Sequence, residues 1–121
     1  MRRLLIVDDD SDFRTFVETV AVEMNYEVMG VGGGDEAEAA QQAFLPDVIL
    51  IDMVMPGLDG IEVVRKMADS KVEASIVLVS GYSQTFVNAA RAIATASGIK
   101  SVRTATKPFA LDELRAILAF G

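Results

Sequence analysis

Val48, Ile49, Leu50 and Ile51 form an unbroken aliphatic run that stops at one carboxylate, Asp52, and Met53-Val54-Met55 then leads into a Pro56-Gly57 turn. A run without polar alternation suits a strand covered on both faces, as in a parallel sheet flanked by helices. Asp52 therefore stands where the chain leaves the core. In open parallel sheets, ligands and chemistry collect in the crevice beyond the carboxyl ends of the strands.

The rest of the chain repeats this unit. Arg3 to Val7 reads as a first buried strand running into Asp8-Asp9-Asp10-Ser11-Asp12. A helix follows, with Phe13, Phe16, Val17, Val20 and Met24 at helical spacing as a core stripe and Ser11 or Asp12 as the cap. Tyr26 to Val31 is the second strand. Gly32-Gly33-Gly34-Asp35 turns the chain into a helix with Ala37, Ala40 and Phe44 on its small face, and Pro46 ends it. The triple glycine lacks GxGxxG spacing, since Asp35 stands where the third glycine should be, and it reads as a flexible loop.

After the Asp52 strand, Gly60 opens a helix with Ile61, Val64 and Met67 on one face. Ser75 to Val79 is the fourth strand, ending in Ser80-Gly81. A helix from about Thr85 to Ser97 shows Phe86, Ala89, Ala90 and Ile93, and Gly98 stops it. A fifth strand, Ser101 to Ala105, reaches Thr106-Lys107-Pro108-Phe109, and a last helix runs from about Leu111 to Ala119. Strands alternating with helices through short connections specify an α/β doubly wound sandwich, a parallel sheet flanked by helices with right-handed crossovers. The 121 residues fit one compact domain, residues 1–121, and are too few for two.

Composition narrows the chemistry. With no cysteine and no histidine, disulfides, thiol nucleophiles, imidazole bases and the usual zinc sites are excluded, which leaves carboxylate, hydroxyl and lysine chemistry. The net charge of -7 is uneven: residues 1–85 carry 6 basic and 16 acidic side chains, residues 86–121 carry 5 and 2. An acidic body argues against direct binding of nucleic acid, which needs a concentrated basic face. No apolar run reaches membrane-spanning length and no signal-peptide core follows Met1-Arg2-Arg3, so a cytoplasmic location is expected.

Four strands end in chemically distinctive residues: Asp8 and Asp9 after the first, Asp52 after the third, Ser80 after the fourth and Lys107 after the fifth. In the flavodoxin-like strand order 2-1-3-4-5, the first and third strands are neighbours about 4.8 Å apart, so three carboxylates crowd one crevice. Like charges that close call either for a proton or for a hard cation. Oxygen-only ligands point to Mg2+, which keeps several waters and accepts a carboxylate or two plus a phosphoryl oxygen. Aspartate is also a nucleophile toward phosphoryl groups, whose transfer needs cations on the equatorial oxygens. Lys107 and the Ser80 hydroxyl would complete that arrangement, and Gly81 leaves room for the group to approach. Singly, each residue has a bland reading as a turn, a cap or a solvated charge. Joint arrival at one sheet edge is what that reading does not explain.

These motifs resemble the receiver domain of two-component response regulators over essentially the full length. Leu5-Ile6-Val7-Asp8-Asp9-Asp10 matches the acidic pair, Pro46 to Gly57 the phosphoacceptor segment, Ser80-Gly81 the switch hydroxyl and its small neighbour, and Lys107-Pro108-Phe109 the signature lysine before a typically cis proline. The resemblance implies that Asp52 is phosphorylated, that Asp9, Asp52 and the Val54 carbonyl bind Mg2+, and that Asp8 supports the metal through water. It also implies a sensor histidine kinase or phosphotransfer protein as donor partner.

Two departures stand out. Thr104 occupies the position where the family usually has an aromatic residue, and the stretch from Gly98 to Lys107 is about two residues longer than usual. Thr104 is too small for the usual aromatic switch, so coupling is expected to run through Ser80 and the segment to Thr85, with Tyr82 and Phe86 as aromatic candidates. Of two alternatives, an aspartate-nucleophile phosphatase of the haloacid dehalogenase type wants a second Asp where Val54 stands. A degenerate receiver acting only as a binding module is opposed by the intact Asp8, Asp9, Asp52, Ser80 and Lys107 set.

Overall fold

The computed structural model describes residues 1–53, 60–69, 73–81, 84–99 and 101–120. Its strands are β1 (Arg2–Val7), β2 (Tyr26–Val31), β3 (Val48–Asp52), β4 (Ser75–Ser80) and β5 (Val102–Thr106). They alternate with helices α1 (Ser11–Glu23), α2 (Gly34–Phe44), α3 (Gly60–Asp69), α4 (Gln84–Ala96) and α5 (Leu111–Phe120). All strand pairs are parallel, in the order β2-β1-β3-β4-β5. This is the flavodoxin-like doubly wound sandwich expected from the sequence.

The aliphatic runs explain why both faces are covered. Side chains alternate across a strand, and in β1, β3 and β4 both sets are apolar. Leu5, Val7, Ile49, Ile51, Ile76 and Leu78 face Ala37, Phe44, Val64, Met67, Ala90 and Ala94 of α2, α3 and α4. Leu4, Ile6, Val48, Leu50, Val77 and Val79 face Val17, Val20 and Ala21 of α1 and Leu114 and Leu118 of α5. Each fully buried aliphatic side chain contributes about 1.5–3 kcal/mol relative to exposure, so β3, buried along its whole length, anchors the carboxylate at its end.

Several expectations about details need correction. Asp10 caps α1, accepting from the N–H groups of Asp12 and Phe13 at 3.0 and 3.2 Å; neither Ser11 nor Asp12 does. The reason is that β1 pairing extends one step beyond the strand, with the Asp8 N–H donating to the Val31 carbonyl at 3.1 Å, which sets the turn one residue earlier. Phe16 is 36% exposed, and Ala21 takes the buried position on α1 instead. In α4, Ala89 is exposed while Ala90 and Ala94 are buried. Leu45, in the left-handed region at φ 52°, ends α2 one residue before Pro46, and Gly98 at φ 92° follows α4 as expected. The Val54 carbonyl, the Pro56-Gly57 turn, Tyr82 and the side chains of Ile61 and Phe86 lie outside the described residues.

Candidate functional site

The site lies at the carboxyl edge of the sheet. Asp8 directly follows β1, Asp52 is the last residue of β3, Ser80 the last of β4, and Lys107 directly follows β5. Parallel register carries these ends to one level: Val7 sits opposite Ile51, Asp52 opposite Val79, and Ser80 opposite Thr106. The ladder then runs one bond past the strands, because the Met53 N–H donates to the Val79 carbonyl at 2.8 Å and the Lys107 N–H to the Ser80 carbonyl at 2.9 Å. Ser80 and Lys107 are thus tied through their backbones.

Asp8, Asp9 and Asp52 each present a carboxylate oxygen, and these oxygens all lie within 4.8 Å of one another. Asp8 is fully buried, Asp52 is 6% exposed and Asp9 is exposed. The Lys107 ammonium donates to Asp8 Oδ2 at 2.7 Å and to Asp52 Oδ2 at 3.2 Å. Burial alone would lower the lysine pKa. The Asp8 hydrogen bond and the nearby charges of Asp52 and Asp8 outweigh it, and the ammonium is held above its ordinary value. Among the described residues these three carboxylates lie beside the Lys107 ammonium, and oxygen donors this close can bind a metal ion. The residues therefore fit a hard divalent cation.

Asp8 is held from several directions. Its Oδ1 accepts the Asp10 N–H at 2.9 Å and its carbonyl accepts Arg14 Nη1 at 2.6 Å. The Arg14 side chain lies against Gly30, where an added Cβ would stand 3.2 Å from Arg14 Cδ. The Lys107-Pro108 bond is cis, as the resemblance implied. A Cβ on Gly81 would meet nothing within 4 Å among the described residues.

The sequence reading missed two contributors. Arg14 gives no signal because its partner is a backbone carbonyl. Phe13 belongs to the helical stripe assigned to the core, yet it is only half-buried, and the Lys107 Nζ lies 4.1 Å from its ring centroid. Thr104 is half-buried on β5.

A doubly wound sheet with acids after β1 and at the end of β3 and a lysine after β5 defines a CheY-like domain with an acid-lined crevice. The model of the response regulator receiver domain matches residues 4–119, and the chain belongs to that family. It is 32% identical to the regulatory protein AtoC of Escherichia coli over 98% of this chain and 24% of AtoC. With the response regulator receiver protein CpdR of Brucella abortus it shares 27% identity over 94% of this chain and 91% of CpdR. The chain therefore spans about a quarter of one relative and nearly all of another. Among solved structures, a response regulator from Colwellia psychrerythraea is 32% identical, with a TM-score of 0.76, covering 98% of this chain and 94% of that one. The Vibrio cholerae chemotaxis protein CheY4 is 27% identical, with a TM-score of 0.82, covering 99% and 98%. Receiver domains of two-component systems are signalling domains, and no helix among the described residues is long and apolar enough to cross a membrane.

Proposed function

We propose that this chain, as a single receiver domain over residues 1–121, is a phosphorylation-dependent switch in which Asp52 accepts a phosphoryl group with the help of Mg2+. The observation that carries this reading is the Asp52 carboxylate itself, nearly buried at the end of β3, 3.2 Å from the Lys107 ammonium and within 4.8 Å of two further acids. Asp8, Asp9, Asp52 and the Val54 carbonyl would hold the metal, Asp8 through water. When bound, Mg2+ would neutralise the acids and add positive charge beside the phosphoryl oxygens.

The chain's own residues supply the remaining steps. An Asp52 oxygen attacks phosphorus, the bond from phosphorus to the donor's leaving group breaks, and that group departs with the electron pair, leaving an acyl phosphate on Asp52. Lys107 then moves from the carboxylates to the transferred group, compensating charge that appears on its oxygens. The Ser80 hydroxyl, at the adjacent strand end, is a donor for another oxygen. A histidine kinase or phosphotransfer protein is the natural donor, given relatives described as the sporulation initiation phosphotransferase F of Bacillus subtilis and the sensor kinase/phosphatase CqsS of Vibrio cholerae.

Incubation with acetyl phosphate and Mg2+, followed by intact-mass measurement, tests the reading. One phosphoryl group should add to the parent chain and none to Asp52→Asn or to the parent in EDTA. Stoichiometric labelling of Asp52→Asn would refute the assignment.

A further inference from the structure

Two acids do not account for all that holds Lys107. Its Nζ stands 4.1 Å from the Phe13 ring centroid, inside the reach of roughly 6 Å over which a ring face attracts a cation. The same ammonium donates to Asp8 Oδ2 and Asp52 Oδ2, so the ring closes a side that neither carboxylate occupies.

The ring is itself fixed from two directions. The Phe13 N–H donates to Asp10 Oδ1 at 3.2 Å, which sets the first turn of α1. Its ring meets that of Phe109 at a centroid distance of 5.7 Å, tilted by 57°, a geometry in the favoured range for aromatic pairs. Phe109 follows Lys107 by two residues, so the loop that carries the ammonium also braces the ring facing it. Core packing alone would be served by any apolar side chain of similar size, and Phe13 is only half-buried.

We propose that Phe13 is a positioning residue for Lys107: its ring face holds the ammonium across Asp8 and Asp52, and so sets how readily a divalent cation displaces it. This rests on the reading of Asp8, Asp9 and Asp52 as a metal site. An ammonium and a divalent ion compete for the same oxygens, and Asp8 Oδ1 is already engaged by the Asp10 N–H. Whatever stabilises the resting lysine therefore weakens apparent cation binding by the same factor. For a partly screened cation–π contact the factor is roughly two- to tenfold.

The test is a Mg2+ titration of the full chain, followed by backbone amide shifts, for the parent, Phe13→Leu and Phe13→Tyr, each with and without Lys107→Met. Phe13→Leu should tighten Mg2+ binding by roughly two- to tenfold, Phe13→Tyr should match the parent, and the difference should vanish in the Lys107→Met background. Unchanged affinity in Phe13→Leu, or an equal change with and without Lys107, overturns the proposal. If Phe13→Leu fails to fold, Phe13→Met replaces it. If the parent binds no Mg2+, the metal-site reading fails separately, and the contact is read from the Lys107 side-chain proton shifts. Their ring-current displacement must disappear in Phe13→Leu and persist in Phe13→Tyr; identical shifts in all three proteins overturn the contact.

Discussion

At the amino end of the sheet, Arg3 donates from Nε to Glu27 at 3.1 Å and from Nη1 to the Phe44 carbonyl at 2.8 Å, while its N–H donates to Asp47 Oδ2. At the carboxyl end, oxygens of Asp8, Asp9 and Asp52 lie within 4.8 Å of one another, and the Lys107 ammonium donates to Asp8 and Asp52. The amino end pairs charges at the surface, where the Arg3 and Glu27 side chains are 42% and 52% exposed. The carboxyl end buries Asp8 and Asp52 beside the exposed Asp9. Exposed pairs stabilise by only about 0–1 kcal/mol, whereas like charges held close in a partly buried crevice store unfavourable energy that a bound cation can release. One end closes the fold, and the other gathers the acids proposed above to hold Mg2+ and take the phosphoryl group.

The difference is testable from both sides. The largest expected effect is stabilisation by Mg2+, about 2.7 kcal/mol at a hundredfold excess over the dissociation constant if only the folded state binds. Thermal melts with and without the ion should show it in the parent and show less of it in Asp52→Asn. Unchanged melts of the parent would mean that the cluster is not a metal site.

Next in size is Lys107→Met, which leaves Asp8 and Asp52 without their ammonium. Breaking a fully buried pair costs about 3–5 kcal/mol; with Lys107 22% exposed, denaturant unfolding should show roughly 2 kcal/mol after allowance for screening. The pH dependence has a definite sign. The folded pKa of Lys107 is raised above the ordinary 10.5, so its contribution is complete below that value and fades as the pH climbs through the higher folded value. The gap between parent and Lys107→Met should therefore shrink only in strong alkali.

Away from the site, Tyr26 donates its hydroxyl to the Leu118 carbonyl of α5 at 2.6 Å. Tyr26→Phe should cost about 1 kcal/mol and leave Mg2+ binding untouched. Smallest of all, a double-mutant cycle on Arg3 and Glu27 should return about 0.2–1 kcal/mol, reduced by salt.

The sequence was most legible where one physical signal dominated. Val48 to Asp52 falls on its observed strand limits, because an unbroken aliphatic run bounded by turns leaves few alternatives; Tyr26 to Val31 does so too, set off by Asn25 before it and the glycines after it. The strand-end acids and Lys107 were legible because topology brings strand ends together whatever lies between them. The cap of α1 was not, since Asp10, Ser11 and Asp12 can all cap, and the choice is made by the Asp8 N–H pairing with Val31 on another strand. Phe16 and Ala89 sit at the margins of their helical stripes, where rotation of a helix by part of a residue decides exposure. Phe13 was legible as apolar but not as a partner of Lys107, since contacts between residues distant in the chain leave no local pattern.

Of the three crowded acids, the proposed phosphoryl acceptor is Asp52 alone. Reduction of the acetyl phosphate-treated chain with borohydride converts an aspartyl phosphate to homoserine, which peptide mass mapping locates. Homoserine at position 52 alone, and only when Mg2+ was present, is the predicted result; homoserine at position 8 or 9, or none anywhere, would contradict it.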